Sequence, residues 1–181
     1  MRFVVQRALK GSVSVEGKVV GSFDSPGLVI LVGITKDDIE EDAKYLVGKC
    51  VNGRFFNSEI RAWHKSVKDI GGHVLVISQF TLYNQMKGNR PDFHDALEGS
   101  EAKKMYLNIV DMFISALGSE KVHCGIFGAY MMVSLVNDGP VTIELDSRKF
   151  SYDPEEQYAR IGGKKGKAKV KAAMLLREKE C

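Results

Sequence analysis

Two short stretches of the chain carry groups of a kind that does chemistry. One is Ser78-Gln79-Phe80-Thr81, at the end of the apolar run 73–80. Small polar groups where a buried strand gives way to a loop are typical of binding sites: the strand fixes them and the loop exposes them. The other is Asn137-Asp138-Gly139-Pro140, set between two apolar, β-branched segments. Proline lacks an N–H and is disfavoured inside a sheet. Glycine lets a backbone approach another molecule without a Cβ in the way. By pattern alone, the first stretch reads as a strand end and the second as a β-turn between two strands.

The usual catalytic apparatus is missing. His64, His73, His94 and His123 show no HxxxH or HxxE spacing, and Cys50, Cys124 and Cys181 do not flank them as zinc ligands would. Metal and cofactor are therefore both expected to be absent. No GxGxxG follows a strand, and there is no GxxxxGK[ST] and no GxSxG. Catalysis, if any, must rest on something other than a triad, a metal or a nucleotide loop. Thr81 is the one hydroxyl a conventional scheme would choose as nucleophile, yet no histidine adjoins it in sequence. A structural or positioning role suits it better.

These stretches need a scaffold. Residues 2–8 favour a strand, and 12–23 alternate on both sides of Glu16-Gly17, a hairpin turn. Residues 28–34 are continuously apolar, like a strand buried on both faces. Thr35 with Asp38 three residues on suggests a helix cap. Ile39, Ala43, Leu46, Val47 and Cys50 then form one helical face. A Gly71-Gly72 turn precedes the buried strand 73–80. Ser100 is the expected cap of a second helix with a broad apolar face from Met105 to Leu117, stopped by Gly118. Strands near 130–136 and 141–146 flank the Gly-Pro. The expected fold is mixed α/β: a β-rich core of antiparallel and mixed sheets, layered or barrel-like, with two long helices packed on it.

The chain has 181 residues with 44% hydrophobic and 27% charged content, enough for one domain with a real core. Its net charge of +3 is uneven. Residues 148–181 hold ten Lys and Arg against five Asp and Glu, and the Gly-, Lys- and Ala-rich stretch after Phe150 shows no clear core pattern. We place a domain at 1–150 and a basic, partly disordered tail at 151–181. Three scattered cysteines argue for a reducing compartment. The N-terminus has no secretory h-region, and no apolar run approaches a membrane span. A cytoplasmic protein without a membrane partner is the expectation.

The two opening stretches, in this order and at this separation, resemble the D-aminoacyl-tRNA (D-tyrosyl-tRNA) deacylases. The resemblance runs from residue 1 to about 147. It includes Met1-Arg2 with Val4-Val5-Gln6-Arg7, Leu31-Val32-Gly33, and Ser66-Val67-Lys68-Asp69. It continues through Val76 to Leu82, Arg90-Pro91, Phe127 to Met131, and Leu135 to Thr142. One segment departs: Ala62-Trp63-His64-Lys65 stands where the family commonly has a Met-Asn pair.

The resemblance implies hydrolysis of the ester joining a D-amino acid to tRNA, activity on glycyl-tRNA, and rejection of L-aminoacyl-tRNA. It implies a homodimer acting on aminoacyl-tRNA, with a Gly139-cisPro140 loop of one subunit entering the other's pocket. There, a wall of main-chain carbonyls would take the Hα of a D substrate and clash with an L side chain, a steric filter. The proline would end one strand and begin the next while presenting backbone to the substrate. Ser78, Gln79, Phe80 and Thr81 would be the catalytic segment, with N–H groups near Gln79 and Phe80 stabilising the oxyanion; one such donor is worth roughly 3–4 kcal/mol. The ribose 2′-OH would assist the attacking water. Phe127 and Met131 would line the adenosine pocket, although core packing explains such residues equally. Asn137 belongs to the same substrate-binding loop. Arg7 would hold the Gly-Pro loop, or else be a surface strand charge. Lys87 and Arg90 are candidates for tRNA phosphates by charge alone. Two other readings are a nucleic-acid-binding protein acting through its tail and a relative editing another mischarged tRNA. Relatives of the latter kind replace the Gly-Pro with a trans pair, so Pro140 counts against it.

Overall fold

The computed structural model describes residues 1–148, and the expected basic tail therefore lies outside the described residues. Residues Met1–Asp146 form one compact unit. Its first strand, β1 (Arg2–Val15), turns at Glu16-Gly17 into β2 (Lys18–Phe23). Both turn residues have positive φ, 50° and 77°, as the tight hairpin turn that matches strand twist requires. Next come β3 (Gly27–Gly33), α1 (Glu40–Asn52) and β4 (His73–Ser78). A 3-10 turn at Phe80–Tyr83 leads into a small hairpin, β5 (Gln85–Lys87) and β6 (Arg90–Asp92). Finally come α2 (Gly99–Leu117), β7 (Val122–Cys124) and β8 (Met132–Asp146).

The main sheet runs β2-β1-β3-β4-β7, antiparallel from β2 to β3 and parallel from β3 to β7. It curls until a Cβ on Gly21 of β2 would stand 2.8 Å from the carbonyl oxygen of Cys124 in β7. Glycine is needed where the two ends meet, and the sheet is nearly a closed barrel. β3 and β4 are buried on both faces, as their continuous apolar runs suggest. Leu28, Ile30, Val32, Val74 and Val76 share a core with the helices, while Val29, Leu75 and Ile77 join Val13 and Phe23 in a second core. The helices contribute Ala43, Leu46, Val47, Cys50 and Val51 from α1, and Ala102, Tyr106, Ile109, Val110 and Phe113 from α2. Each fully buried Leu, Ile or Phe contributes about 1.5–3 kcal/mol.

Both helix starts differ from the sequence expectation. The Asp38 carboxylate accepts the Thr35 N–H (2.8 Å), and the Thr35 hydroxyl donates to the Asp95 carbonyl (2.6 Å). That turn stands alone, and α1 begins at Glu40, where the Asp42 carboxylate accepts the Ile39 N–H (3.0 Å). In α2, Gly99 already belongs to the helix, so Ser100 sits in its first turn instead of capping it. Gly118 ends α2 as expected, with φ +93° and its N–H on the Ile114 carbonyl.

The larger correction concerns the proline. It does not separate two strands: β8 runs unbroken from Met132 to Asp146 and pairs with β1 on both sides of it. Asn137 lies opposite Ala8 and Thr142 opposite Gln6, so residues 138–141 bow out against Arg7 alone. The feature is a large, special bulge within one ladder, because the same partner strand is recaptured after it. A smaller bulge at Leu9 of β1 lies just beside it. The other edge of β8 carries no partner strand among the described residues.

Candidate active site

β3 and β4 end side by side, and the chain leaves β4 through the 3-10 turn. At this junction opens a cavity of about 450 Å³. Ser78, Gln79 and Phe80 form one wall, and Phe127, Tyr130 and Met131 another. A strap through Leu97 closes the side, pinned by its N–H on the Ile34 carbonyl (2.9 Å) and by the Thr35–Asp95 bond. Phe80 is half exposed and packs edge-on against Phe93, 5.0 Å between centroids. Phe127 leans on Tyr106, whose hydroxyl donates to the Val76 carbonyl (2.9 Å), so α2 supports that wall. Met131 packs against the second core while lining the cavity. Core packing and pocket lining are thus the same position for Phe127 and for Met131.

The backbone donors differ in availability. The Gln79 N–H continues the β3–β4 ladder to the Val32 carbonyl at 2.7 Å, and this spends it. The first N–H groups of a helical turn have no partner within the turn. Phe80 and Thr81 are the first two residues of this one, and the Leu82 N–H is the first to be used, on the Gln79 carbonyl (3.3 Å). The Gln79 side-chain amide donates to the Thr81 hydroxyl at 2.6 Å. Arg2 braces the turn from behind: its guanidinium donates to the Leu82 carbonyl (3.0 Å) and to Asp146 (3.1 Å) and lies over the Tyr83 ring.

Among the described residues, no histidine lines the cavity and no cluster of His, Cys, Asp and Glu has the arrangement of a metal site. Cys50 is fully buried and Cys124 partly so, and burial pushes both thiols up, away from the reactive thiolate. Lys87 is paired with Asp92, which also accepts from His94; the hydrogen bond from Lys87, then those from the His94 N–H and ring, hold the Asp92 carboxyl well below its usual range.

The second sequence stretch lies apart from this cavity. Asn137, Gly139, Pro140 and Arg7 are not among its walls. Arg7 and Asp138 instead line a separate hollow of about 330 Å³. Gly139 and Pro140 are exposed and joined by a cis peptide bond. Gly139 has φ +124°, and a Cβ there would stand 2.9 Å from Val141 Cγ2 and 3.2 Å from Arg7 Nη2. Asn137 ties the base of the bulge: its Oδ1 accepts the Val141 N–H (2.6 Å) and its Nδ2 donates to the Thr142 hydroxyl (3.1 Å). Arg7 is buried and so is no surface charge. Its Nε donates to the Asp138 carbonyl (3.2 Å) and pairs with the Asp138 carboxylate (2.8 Å), and its Nη1 donates to the Phe55 carbonyl (2.7 Å). The Phe55 carbonyl and the Trp63 ring, which lies over the Arg7 guanidinium, bring the 53–66 loop into this assembly. Sequence reasoning did not connect that loop to Arg7; the positive φ of Trp63, +54°, leaves no mark in sequence.

Comparison with known proteins adds an independent line. A family model described as D-Tyr-tRNA(Tyr) deacylase matches residues 4–146. A D-aminoacyl-tRNA deacylase of Clostridium novyi is 51% identical over 150 residues, covering 82% of this chain and 99% of the relative. One from Drosophila melanogaster is 46% identical over 147 residues, covering 81% and 92%. Among solved structures, the c-Myc DNA Unwinding Element Binding Protein superposes with TM-score 0.77 at 39% identity, over 81% of this chain and 98% of that one. A structure described as a probable eukaryotic D-amino acid tRNA deacylase gives TM-score 0.71 at 17% identity, over 80% and 97%, a likeness of fold.

Proposed function

This chain belongs to the D-Tyr-tRNA(Tyr) deacylase family, hydrolases of the aminoacyl-tRNA ester, and from that premise we propose that it cleaves D-aminoacyl- and glycyl-tRNA while rejecting L-aminoacyl-tRNA through main-chain atoms. The observation that carries this reading is a separation. The pocket has backbone donors but no histidine among its described lining, and the rigid Gly139-Pro140 bulge stands exposed on the open edge of β8, outside its own chain's pocket. A second copy would bring the two together.

In this scheme the ester carbonyl sits over the 3-10 turn. The Phe80 and Thr81 N–H groups receive the oxyanion, in place of the Gln79 N–H, which the sheet has already taken. Water attacks with help from the ribose 2′-OH, which replaces a protein base. Thr81 and the Gln79 amide shape the turn. The half-buried Phe127 ring stacks on the terminal adenine, a contact worth about 1–3 kcal/mol. The bulge carbonyls of the partner occupy the volume where an L side chain would point. Glycine has no side chain to reject.

Deacylation of matched D- and L-tyrosyl-tRNA and glycyl-tRNA tests this. Rapid release from the D and glycyl esters with slow release from the L ester is expected; equal rates on D and L overturn it. A second reading, nucleic-acid binding through the basic tail, is favoured by the likeness to a DNA unwinding element binding protein and by the tail's charge. Removing residues 151–181 in the same assay separates the two. The deacylase reading requires turnover to survive, with a shallower salt dependence only where the tail touches RNA.

A further inference from the structure

The segment Ala62-Trp63-His64-Lys65, where the sequence leaves its family's pattern, carries the chain's single tryptophan. Trp63 is unusual twice over. Its φ of +54° lies in the left-handed region, which few residues other than glycine adopt and a bulky ring seldom does. Its side chain is half exposed, although indole is the largest apolar group available to fill a core.

The loop is built to hold this conformation. Phe56 and Lys65 form an isolated bridge, with the Phe56 N–H on the Lys65 carbonyl (2.9 Å) and the His64 N–H on the Phe56 carbonyl (2.8 Å). The Ser58 N–H donates to the Arg61 carbonyl (2.8 Å), and the Ser58 hydroxyl meets His64 Nδ1 at 2.9 Å. The Trp63 N–H itself donates to Asn57 Oδ1 (3.1 Å). What this stitching aims is the indole face, placed 5.8 Å from the Arg7 guanidinium carbon. The same guanidinium reaches the Asp138 carbonyl and carboxylate on one side and the Phe55 carbonyl on the other. An observed backbone outlier, tightly braced and pointed at one charged group, is evidence for a task.

We infer that Trp63 is a positioning residue for stereoselectivity: its ring holds Arg7 in the orientation that fixes Asp138 and, through it, the Gly139-Pro140 bulge. The physical case has two parts. A cation over an indole face is attracted to it, and more strongly where water is kept away. The ring also lies over Arg7, whose attraction to Asp138 weakens as solvent enters. Arg7 reaches the loop at the Phe55 carbonyl and the bulge at Asp138, so a looser Arg7 loosens the bulge carbonyls. This inference rests on the reading of those carbonyls as a chiral filter.

The test measures kcat/KM on D- and L-tyrosyl-tRNA for the full chain, Trp63→Ala, Trp63→Phe and Asp138→Ala. Trp63→Ala should lower the D-to-L ratio by about tenfold, the effect of one partly desolvated cation–π contact, and Trp63→Phe should restore most of it. A lowered ratio in Asp138→Ala but not in Trp63→Ala overturns the inference and leaves the filter standing. An unchanged ratio in both overturns the filter as well. Equal loss in Trp63→Ala and Trp63→Phe assigns the effect to the loop and overturns the role of the ring. A second measurement needs no Trp63 variant. Because the chain has one tryptophan, its emission on excitation beyond tyrosine absorption reports on the surroundings of this ring, and folded Asp138→Asn should shift it as Arg7 moves; an unchanged spectrum overturns the inference.

Discussion

At the scale of single residues, the site divides into groups that were legible and groups that were not. Ser78, Gln79 and Phe80 line a pocket, as a small polar cluster closing a buried strand suggests, while Thr81 follows them in the 3-10 turn and is not among the lining residues. Which of their N–H groups is available could not be read, because the Gln79 N–H is consumed by Val32, 47 positions earlier in sequence, through a parallel register set by the whole sheet. Thr81 shows the same dependence on context. Its hydroxyl accepts a 2.6 Å bond from Gln79, and no histidine among the described residues lines the pocket to activate it. Thr81→Ala should therefore retain turnover within about tenfold of the parent in single-turnover deacylation, where loss of a true nucleophile costs about 10⁶-fold. A loss of that size in a folded variant would make Thr81 the nucleophile.

At the scale of elements, continuity of apolar residues announced β3 and β4, and spacing announced both helices. The unbroken β8 was hidden, since whether residues on either side of a proline form one strand or two depends on their partner. Here β1 takes up both halves. One junction between elements has a measurable consequence. His73 at the start of β4 and His123 in β7 stack at 5.3 Å between centroids, share a 3.0 Å hydrogen bond, and rest against Phe23 of β2. Burial lowers the pKa of both; the nearby charge of Lys121, 3.4 Å from His73, lowers that of His73 further, and Glu120 opposes it. An unfolded histidine titrates near 6.5. Below that pH the unfolded chain binds protons that the folded pair resists, so stability falls as pH drops from about 7 through 6.5 toward the lowered folded values, and is regained as pH rises. His123→Phe keeps a ring in the stack and removes one titration. Its Tm should fall less than the parent's between about pH 7 and pH 5 in a thermal melt. Parallel slopes would show that the pair does not contribute.

For the whole molecule, the exposed edge of β8 is the outstanding surface. Met132, Val133 and Val136 lie on a fifteen-residue strand whose outer edge pairs with nothing among the described residues. Long, apolar, unpaired edges invite another strand or another chain. The expected outcome is a homodimer joined near this edge, and light scattering checks it. Val136→Lys should yield monomers that lose discrimination between D and L esters, because the bulge would no longer reach a partner's pocket. A monomeric variant with parental activity and selectivity would place the whole site within one chain. No helix among the described residues is long and apolar enough to cross a membrane.

The bulge in β8 has a consequence for how such a protein can change over time. The ladder to β1 closes at Ala8–Asn137 on one side and reopens at Gln6–Thr142 on the other, so the strand pairing does not run through the four residues between. Those four are not equally free. Gly139, with Arg7 and Val141 against it, and Asp138, paired with buried Arg7, answer to the fold, and the Val141 N–H closes the base on Asn137. Pro140 stands exposed at the tip. On the reading proposed above, a lineage could retune discrimination at Pro140 without renegotiating the pairing that folds the strand.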